Sequence, residues 1–445
     1  MSDRYASFAR STFGRALVRR LGLPNPPSLQ RHRPGRPVLE GAVLLGAAPG
    51  GWAGKQLDAL MTDLGVSVAS APAEGERYAA VVFDATGVTD PTQLRSLYDF
   101  THAAIRAVRP SGRLLVIGVD PADAADPAAA AAQQALEGFV RSAGKEMRYG
   151  ASANLLRLAP GGESAAESTL RFLLSARSAY VSGQVVRVGP AESSDVPDWE
   201  QPLHGRVALV TGAARGIGAA IAEVLARDGA QVVCLDVPAA GDALAAMANR
   251  ISGEALQCDI TSAQAPARIA EQLKERHGGV DIVVHNAGIT RDRTLGRMSE
   301  AEWDAVLAVN LVAQQRVTAG LVDSGALRAG GRIVALSSMA GIAGGAGQTN
   351  YATSKAGVIG LVRAQAAGFA ALGVTVNAVA PGFIETEMTA AMPMFPREAG
   401  RRMNSMSQGG LPVDVAETVA WLAAPASGGV TGQVVRVCGQ HLLGA

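Results

Sequence analysis

VALVTGAARGIGAA, residues 207–220, is the stretch that decides the fold. Its first four residues are apolar and read as a buried strand, and the run after Gly216 reads as a helix. Between them Gly212, Gly216 and Gly218 make a Gly-x3-Gly-x-Gly loop. Glycine there allows a tight turn and lets backbone N–H groups reach a pyrophosphate at the helix N-terminus. Asp236 closes the next apolar run, 18 residues beyond Gly218. A carboxylate at that place bonds an adenosine ribose 2′-hydroxyl and repels a 2′-phosphate, which favours NADH over NADPH. Arg215, inside the loop, pulls the other way, because a guanidinium pairs with a 2′-phosphate. The carboxylate holds the discriminating position.

Working outward, apolar β-branched runs (207–210, 232–235, 282–284, 333–336, 374–379) alternate with Ala-rich helical stretches. Such alternation builds a parallel sheet with helices on both faces. The same alternation occurs upstream, and four segment pairs match in order. GAVLLGAAPGG (41–51) matches VALVTGAARGI (207–217), and SGRLLVIGV (111–119) matches GGRIVALSS (330–338). EGFVRSAG (137–144) matches IGLVRAQA (359–366), and VSGQVVRV (181–188) matches VTGQVVRV (430–437). The chain therefore divides into a basic arm (1–40), a first copy (41–190), a polar linker (191–203) and a second copy (204–445). The expected fold class is α/β: two tandem Rossmann-like, doubly wound parallel sheets, the first smaller and flavodoxin-like. The size difference follows from the offsets between copies, which lengthen by 53 residues after the first match and by 27 before the last.

The chemistry lies in YATSK. Tyr351 and Lys355 are i,i+4 and share a helix face. A neighbouring ammonium is expected to lower the phenol's pKa and suit it to acid–base work near neutrality. Ser338, 13 residues earlier, follows an apolar strand and so sits at its carboxyl end, where ligands bind in such sheets. Its hydroxyl can hold a carbonyl oxygen.

These residues, with TGxxxGIG (211–218), CDI (258–260), HNAG (285–288), VN (309–310) and APGFIETEM (380–388), resemble the short-chain dehydrogenase/reductase family over about 205–440. The resemblance implies that Tyr351 donates a proton, Lys355 binds the nicotinamide ribose and Ser338 orients the substrate carbonyl. It implies that Asn310 holds a water linking Lys355 to solvent and that Asp259 contacts the adenine. Asn286, Ala287 and Gly288 would line the adenosine side, with Ile217, Ile260 and Val309 beside them. Pro381, Gly382, Ile384 and Thr386 would flank the nicotinamide. Two positions depart from the pattern: His285 stands where a first Asn is usual, and the end reads VCGQH (437–441).

NAGITRDR (286–293) and MSEAEWDAVLAVNL (298–311) are similar to β-ketoacyl-thioester reductases of the fatty-acid type. The two-copy layout, arginine-rich start and CGQHLLGA end are similar to their high-molecular-weight class. That class implies an inactive flavodoxin-like domain before a ketoreductase domain that uses NADH to reduce 3-oxoacyl thioesters of acyl-carrier protein or CoA. A homodimer is implied as well. Arg291, Arg293 and Arg297 either meet the phosphopantetheine arm or an acidic carrier, or form a solvated basic turn.

Aligning the copies leaves the first one without a catalytic set. Val119, Ala129 and Gln133 stand where the second has Ser338, Tyr351 and Lys355, and Trp52 stands at the Gly218 position. Asp84 reads as a turn cap. The extra segment of the second copy, residues 384–410, is rich in Met and ends in Gly. It is expected to lie over the nicotinamide as a lid for a flexible apolar acyl chain.

Composition narrows the remaining choices. Hydrophobic residues at 48% against 18% charged support a large core. A net charge of +1 argues against nucleic-acid partners. Residues 1–37 carry eight arginines and one acid, Asp3. Residues 3–21 read as a basic amphipathic helix, an arm docked on its own domain or on a partner subunit; a transit peptide and a membrane-surface helix are the competing readings. Three cysteines, Cys234, Cys258 and Cys438, make neither a disulfide framework nor a metal-ligand spacing, which fits a cytoplasmic protein. No uninterrupted apolar run reaches the length of a membrane span. The competing functions are the same machinery on a steroid or sugar, and a non-enzymatic dinucleotide sensor or scaffold.

Overall fold

The computed structural model describes residues 3–192 and 196–442. These fall into two compact units: 3–192 with 389–410 and 437–442, and 196–388 with 411–436. The boundary at 204–445 expected from sequence is thus not the one found. Residues 389–410, read as a lid of the second copy, belong to the first unit, as do 437–442. The linker expected at 191–203 includes residues 193–195, which lie outside the described residues, as do 443–445 of the C-terminal motif. Leu203, assigned to that linker, is fully buried and its N–H donates to Asp228 O at 2.9 Å.

The first unit holds six parallel strands in the order β2-β1-β3-β4-β5-β6. They are β1 Val43–Ala47, β2 Val68–Ala69, β3 Tyr78–Asp84, β4 Val108–Gly118, β5 Ser152–Leu158 and β6 Val185–Val188. The start 2-1-3-4-5 is the flavodoxin-like order. The second unit holds seven strands: β7 Val207–Thr211, β8 Gln231–Asp236, β9 Glu254–Gln257, β10 Val280–His285, β11 Leu327–Leu336, β12 Thr375–Pro381 and β13 Val434–Val437. Their order is β13-β12-β11-β10-β7-β8-β9. Strands such as β3 (YAAVVFD), β7 and β12 are buried along their whole length. That is why they read as continuous apolar runs rather than alternating ones. β9 has no counterpart in the first sheet, which accounts for the larger part of the 53-residue jump between copies; the rest lies in the longer stretch between β10 and β11.

Paired interior bonds mark the duplication more strongly than the sequence matches do. Arg113 on β4 donates from Nη2 to Ser175 O (2.9 Å) and from Nη1 to Ser111 O and Gly112 O. Arg332 on β11 repeats this with Pro425 O (2.8 Å), Gly330 O and Gly331 O. Burial pushes both guanidinium groups down to about 10. Asn154 on β5 donates to Val181 O and accepts from Gln184 N, both at 3.0 Å. Asn377 on β12 does the same with Val430 O (2.8 Å) and Gln433 N (3.1 Å). The asparagine pair lies outside all four sequence matches.

The arm is not one helix. It forms Arg4–Arg10 and Thr12–Arg20, broken at Ser11, whose backbone is extended. Asp3 caps the first helix through Ala6 N and pairs bidentately with Arg402, both contacts at 2.7 Å. Arg402 also stacks 4.7 Å from the Tyr5 ring centre. Gln408 donates to Pro27 O (2.7 Å), and Tyr180 donates to Gln408 O (2.6 Å). The 389–410 segment is therefore anchored by the arm and by the first copy.

Among the described residues one helical stretch, Glu300–Asp323, is long and apolar enough to cross a membrane by length and composition. It lines the second unit's core, where Ala313, Val317 and Leu321 join Leu209, Val233, Val283 and Ile333.

Candidate active site

The strand order of the second sheet reverses between the parallel neighbours β7 and β10, and the crevice beyond their carboxyl ends is the expected ligand position. Thr211, the last residue of β7, stitches this point together. Its Oγ1 accepts from the N–H groups of Asn286 (3.0 Å) and Ala287 (3.1 Å). Asn286 Nδ2 donates back to Thr211 O (2.9 Å) and Gly212 O (3.0 Å). Gly218 packs so closely on this knot that a Cβ there would lie 2.0 Å from Gly212 O and 2.5 Å from Asn286 Nδ2. The helix Gly216–Arg227 starts from Arg215, which is exposed and makes no side-chain cap. Its first-turn N–H groups are thus left for an anion.

Asp236 ends β8. Its Oδ2 accepts Ala214 N (3.0 Å) and its Oδ1 accepts Val237 N (2.8 Å), so the half-exposed carboxylate also fixes the glycine loop. Asp259 is exposed, and its Oδ1 accepts from Thr261 N and Oγ1 (2.9 and 2.7 Å). Gly288 is exposed, Asn286, Ala287, Ile217 and Val309 are half-buried, and Ile260 is buried. Pro381 closes β12 and is buried with Ile384, while Gly382 and Thr386 are half-buried. Arg291, Arg293 and Arg297 are all exposed; Arg293 Nε lies 3.3 Å from Glu302 Oε1.

The structure brings Ser338, Tyr351, Lys355 and Asn310 together beside the end of β11. Ser338 follows that strand and N-caps the short helix Met339–Ala343. Tyr351 and Lys355 lie on the helix Thr349–Gly368. Lys355 is buried, donates to Leu336 O at 2.7 Å and lies 5.8 Å from the Tyr351 ring centre. Asn310 sits in a π-helical turn, Ala308–Val312, a feature often found at functional sites. Its carboxamide exchanges both bonds with Ile289 (2.8 and 3.0 Å) and donates to Ser354 Oγ (3.1 Å). Gln314 Nε2 donates to its main-chain oxygen at 2.6 Å.

The electrostatics differ from the expectation. Burial raises the Tyr351 phenol above its usual value; the Ser338 hydrogen bond lowers it, and Asp292 adds to the rise. Lys355 does not depress it. Burial pushes the ammonium itself down to about 8, because the same loss of water that disfavours the phenolate disfavours the cation. The cluster thus keeps a protonated phenol next to a serine hydroxyl, an arrangement fitted to donate two hydrogen bonds, and then a proton, to one oxygen. Sequence reasoning missed Thr211, Ser354 and Gln314. Only Thr211 carried a signal, as a polar residue closing an apolar strand just before the glycine loop.

In the first unit the equivalent place is filled. Gln133, at the lysine position on the helix Pro127–Glu146, accepts Val119 N (2.9 Å) and donates to Ala85 O (2.9 Å) and Val88 O (2.8 Å). Asp84 is buried and accepts from Ala53 N (2.9 Å) and Thr86 Oγ1 (2.6 Å), as a turn cap does.

His285 ends β10, fully enclosed, with Nε2 2.8 Å from Thr318 Oγ1. Burial pushes it down to about 4. Between the unfolded value near 6.5 and that folded value, the unfolded chain binds more protons, so stability falls as pH drops. The expected loss is about 3 kcal/mol. Unfolding measured from pH 7 to 4 should show a smaller acid loss in His285→Asn; parallel curves for the two proteins would contradict it.

Residues 212–439 match the family model described as enoyl-(acyl carrier protein) reductase. The chain is 41% identical over 237 residues to the 3-oxoacyl-(acyl-carrier-protein) reductase FabG of Vibrio cholerae, covering 53% of this chain and 97% of that protein. It is 41% identical over 240 residues to the same-named protein of Thermotoga maritima, covering 53% and 98%. Among solved structures, a dehydrogenase/reductase from Sinorhizobium meliloti 1021 shares 36% identity with a TM-score of 0.51, covering 54% of this chain and 96% of its own.

Proposed function

The chain belongs to the short-chain dehydrogenase/reductase family, and from that premise we propose that it is an NADH-dependent reductase of 3-oxoacyl thioesters. The observation that carries the chemistry is the gathering of Ser338, Tyr351 and the buried Lys355 at the end of β11. The substrate class rests on the relatives, which span nearly their full length in the second copy and are named for 3-oxoacyl-carrier-protein reduction.

The residues present fit a dinucleotide. The uncapped first turn at Gly216–Gly218 suits a pyrophosphate, and Gly212 and Gly218 keep the approach free of side chains. Asp236 supports NADH by its charge at the ribose position. Asp259, Ile260, Asn286–Gly288 and Val309 would border the adenosine side, and Pro381, Gly382, Ile384 and Thr386 the nicotinamide. The bound cofactor supplies the hydride. Ser338 and Tyr351 hold the ketone oxygen, and Tyr351 Oη gives it a proton. Lys355 places a positive charge beside the resulting phenolate. Asn310 keeps Ile289 and Ser354 in place next to it.

The test is the initial rate of cofactor oxidation with acetoacetyl-CoA, a longer 3-oxoacyl-CoA and a 3-oxoacyl carrier protein, with NADH and NADPH in parallel. Turnover with NADH well above NADPH is expected. Asp236→Ala should reduce that preference about tenfold, since removing a discriminating charge typically costs over 1 kcal/mol. Turnover with NADPH alone overturns the cofactor assignment. Activity only on a steroid or sugar ketone overturns the substrate.

A further inference from the structure

The helix carrying Tyr351 begins without the usual cap. Gln348 is its N-cap residue, yet its side chain makes no cap bond and instead donates to Asp292 Oδ2 at 2.9 Å. The first-turn N–H of Tyr351 is one of the orphan donors that a helix start leaves. It is taken by Asn350 Oδ1 at 2.7 Å. Asn350 is completely buried, and its Nδ2 donates to Arg291 O (3.0 Å) and Glu302 O (3.1 Å). Arg293 forms a bridge to Gln348. The segment 289–293 is therefore held at its start by Asn310 and further along by Asn350 and Gln348.

We propose that Asn350 is the positioning residue for Tyr351: it ties the tyrosine's own peptide N–H to segment 289–293, so that the phenol is held in register with Ser338. The proposal rests on the reading of Tyr351 as proton donor. One buried carboxamide serves three backbone groups, and only a group with an acceptor and two donors can do so. Alanine removes all three bonds at once and takes away the acceptor of the Tyr351 N–H. Aspartate keeps the acceptor but faces two carbonyl oxygens with a second oxygen.

The test compares wild type, Asn350→Ala and Asn350→Ser as full-length proteins. Two readouts are used: kcat and KM with a 3-oxoacyl thioester, and titration of Tyr351 by the ¹³Cζ signal of labelled tyrosine, assigned by its absence in Tyr351→Phe. A misplaced acid is expected to cost kcat about tenfold to a hundredfold. The cofactor Kd should stay within about threefold, because the glycine loop is untouched. The Tyr351 titration should move up, since the Ser338 bond that favours the phenolate loosens. A merely structural role lowers the folded fraction and leaves the titration in place. Folded variants with wild-type kcat and an unmoved titration overturn the proposal. If Asn350→Ala does not accumulate as folded protein, Asn350→Ser is read by the same two measures. The titration needs no substrate, so a wild type inactive on thioesters would sink the parent reading while Asn350 is still scored.

Discussion

Tyr351→Phe should lose about a hundredfold to ten-thousandfold in kcat for ketone reduction, the range that a positioned general acid supplies. The ring stays, so its packing beside Ser338 and Lys355 stays, and cofactor affinity should change less than about twofold. The phenol is the acid that shares the cluster with Ser338 and Lys355. Burial keeps it protonated through the working pH range, so it donates rather than idles as phenolate. An alkaline limb near pH 8 should instead come from Lys355, which burial holds at about 8. Pre-steady-state turnover separates this loss from slow product release. A Tyr351→Phe protein that retains a tenth of the wild-type single-turnover rate would remove Tyr351 from the mechanism.

Gly218→Ala should be the most damaging single methyl group in the second unit. The added carbon would sit 2.0 Å from a backbone oxygen, Gly212 O, and 2.5 Å from Asn286 Nδ2, which is itself bonded to β7. Neither neighbour can rotate away. The glycine loop or the helix start must shift, at a cost of about 3 kcal/mol in stability. Cofactor affinity should fall at least about tenfold, since the displaced N–H groups are those that would face the pyrophosphate. Gly216→Ala is the control. Gly216 has φ +63° but open space around its Cβ position, so it should lose only about 1 kcal/mol of backbone strain. Equal effects at the two glycines would mean that conformation, not crowding, chose glycine at 218.

Much of this was readable from sequence because it is local. The strand–glycine–helix run, the Tyr-x3-Lys spacing and the repeated segments are each short stretches of chain, and the class of two tandem doubly wound parallel sheets followed from them. What stayed hidden depends on tertiary neighbours. The Asn154 and Asn377 anchors bond partners 27 and 53 residues away. Asn350 is an unremarkable letter before Tyr351 until Arg291 and Glu302 arrive beside it. The phenol's shift was misjudged because the spacing shows the ammonium but not the burial of both groups. The placement of 389–410 was missed for a similar reason: its methionines signal an apolar setting, while Asp3, Tyr5 and Tyr180, which hold it, lie hundreds of residues away.

The composition of the first unit has a consequence for biosynthesis. Its sheet is encoded in residues 43–188, but Gln440, at φ +58°, is buried in it, donating to Arg141 O and bonding Ser182 Oγ at 3.2 Å. Domains generally fold as they leave the ribosome, N-terminal first. Here the half that emerges first must wait, with Gly144 and Gly183 unfilled, until the strands of the other half have all been translated. Vectorial synthesis therefore starts the first unit early and completes it last, and a nascent chain stalled before residue 437 should carry a finished β-sheet whose surface is still open to chaperones.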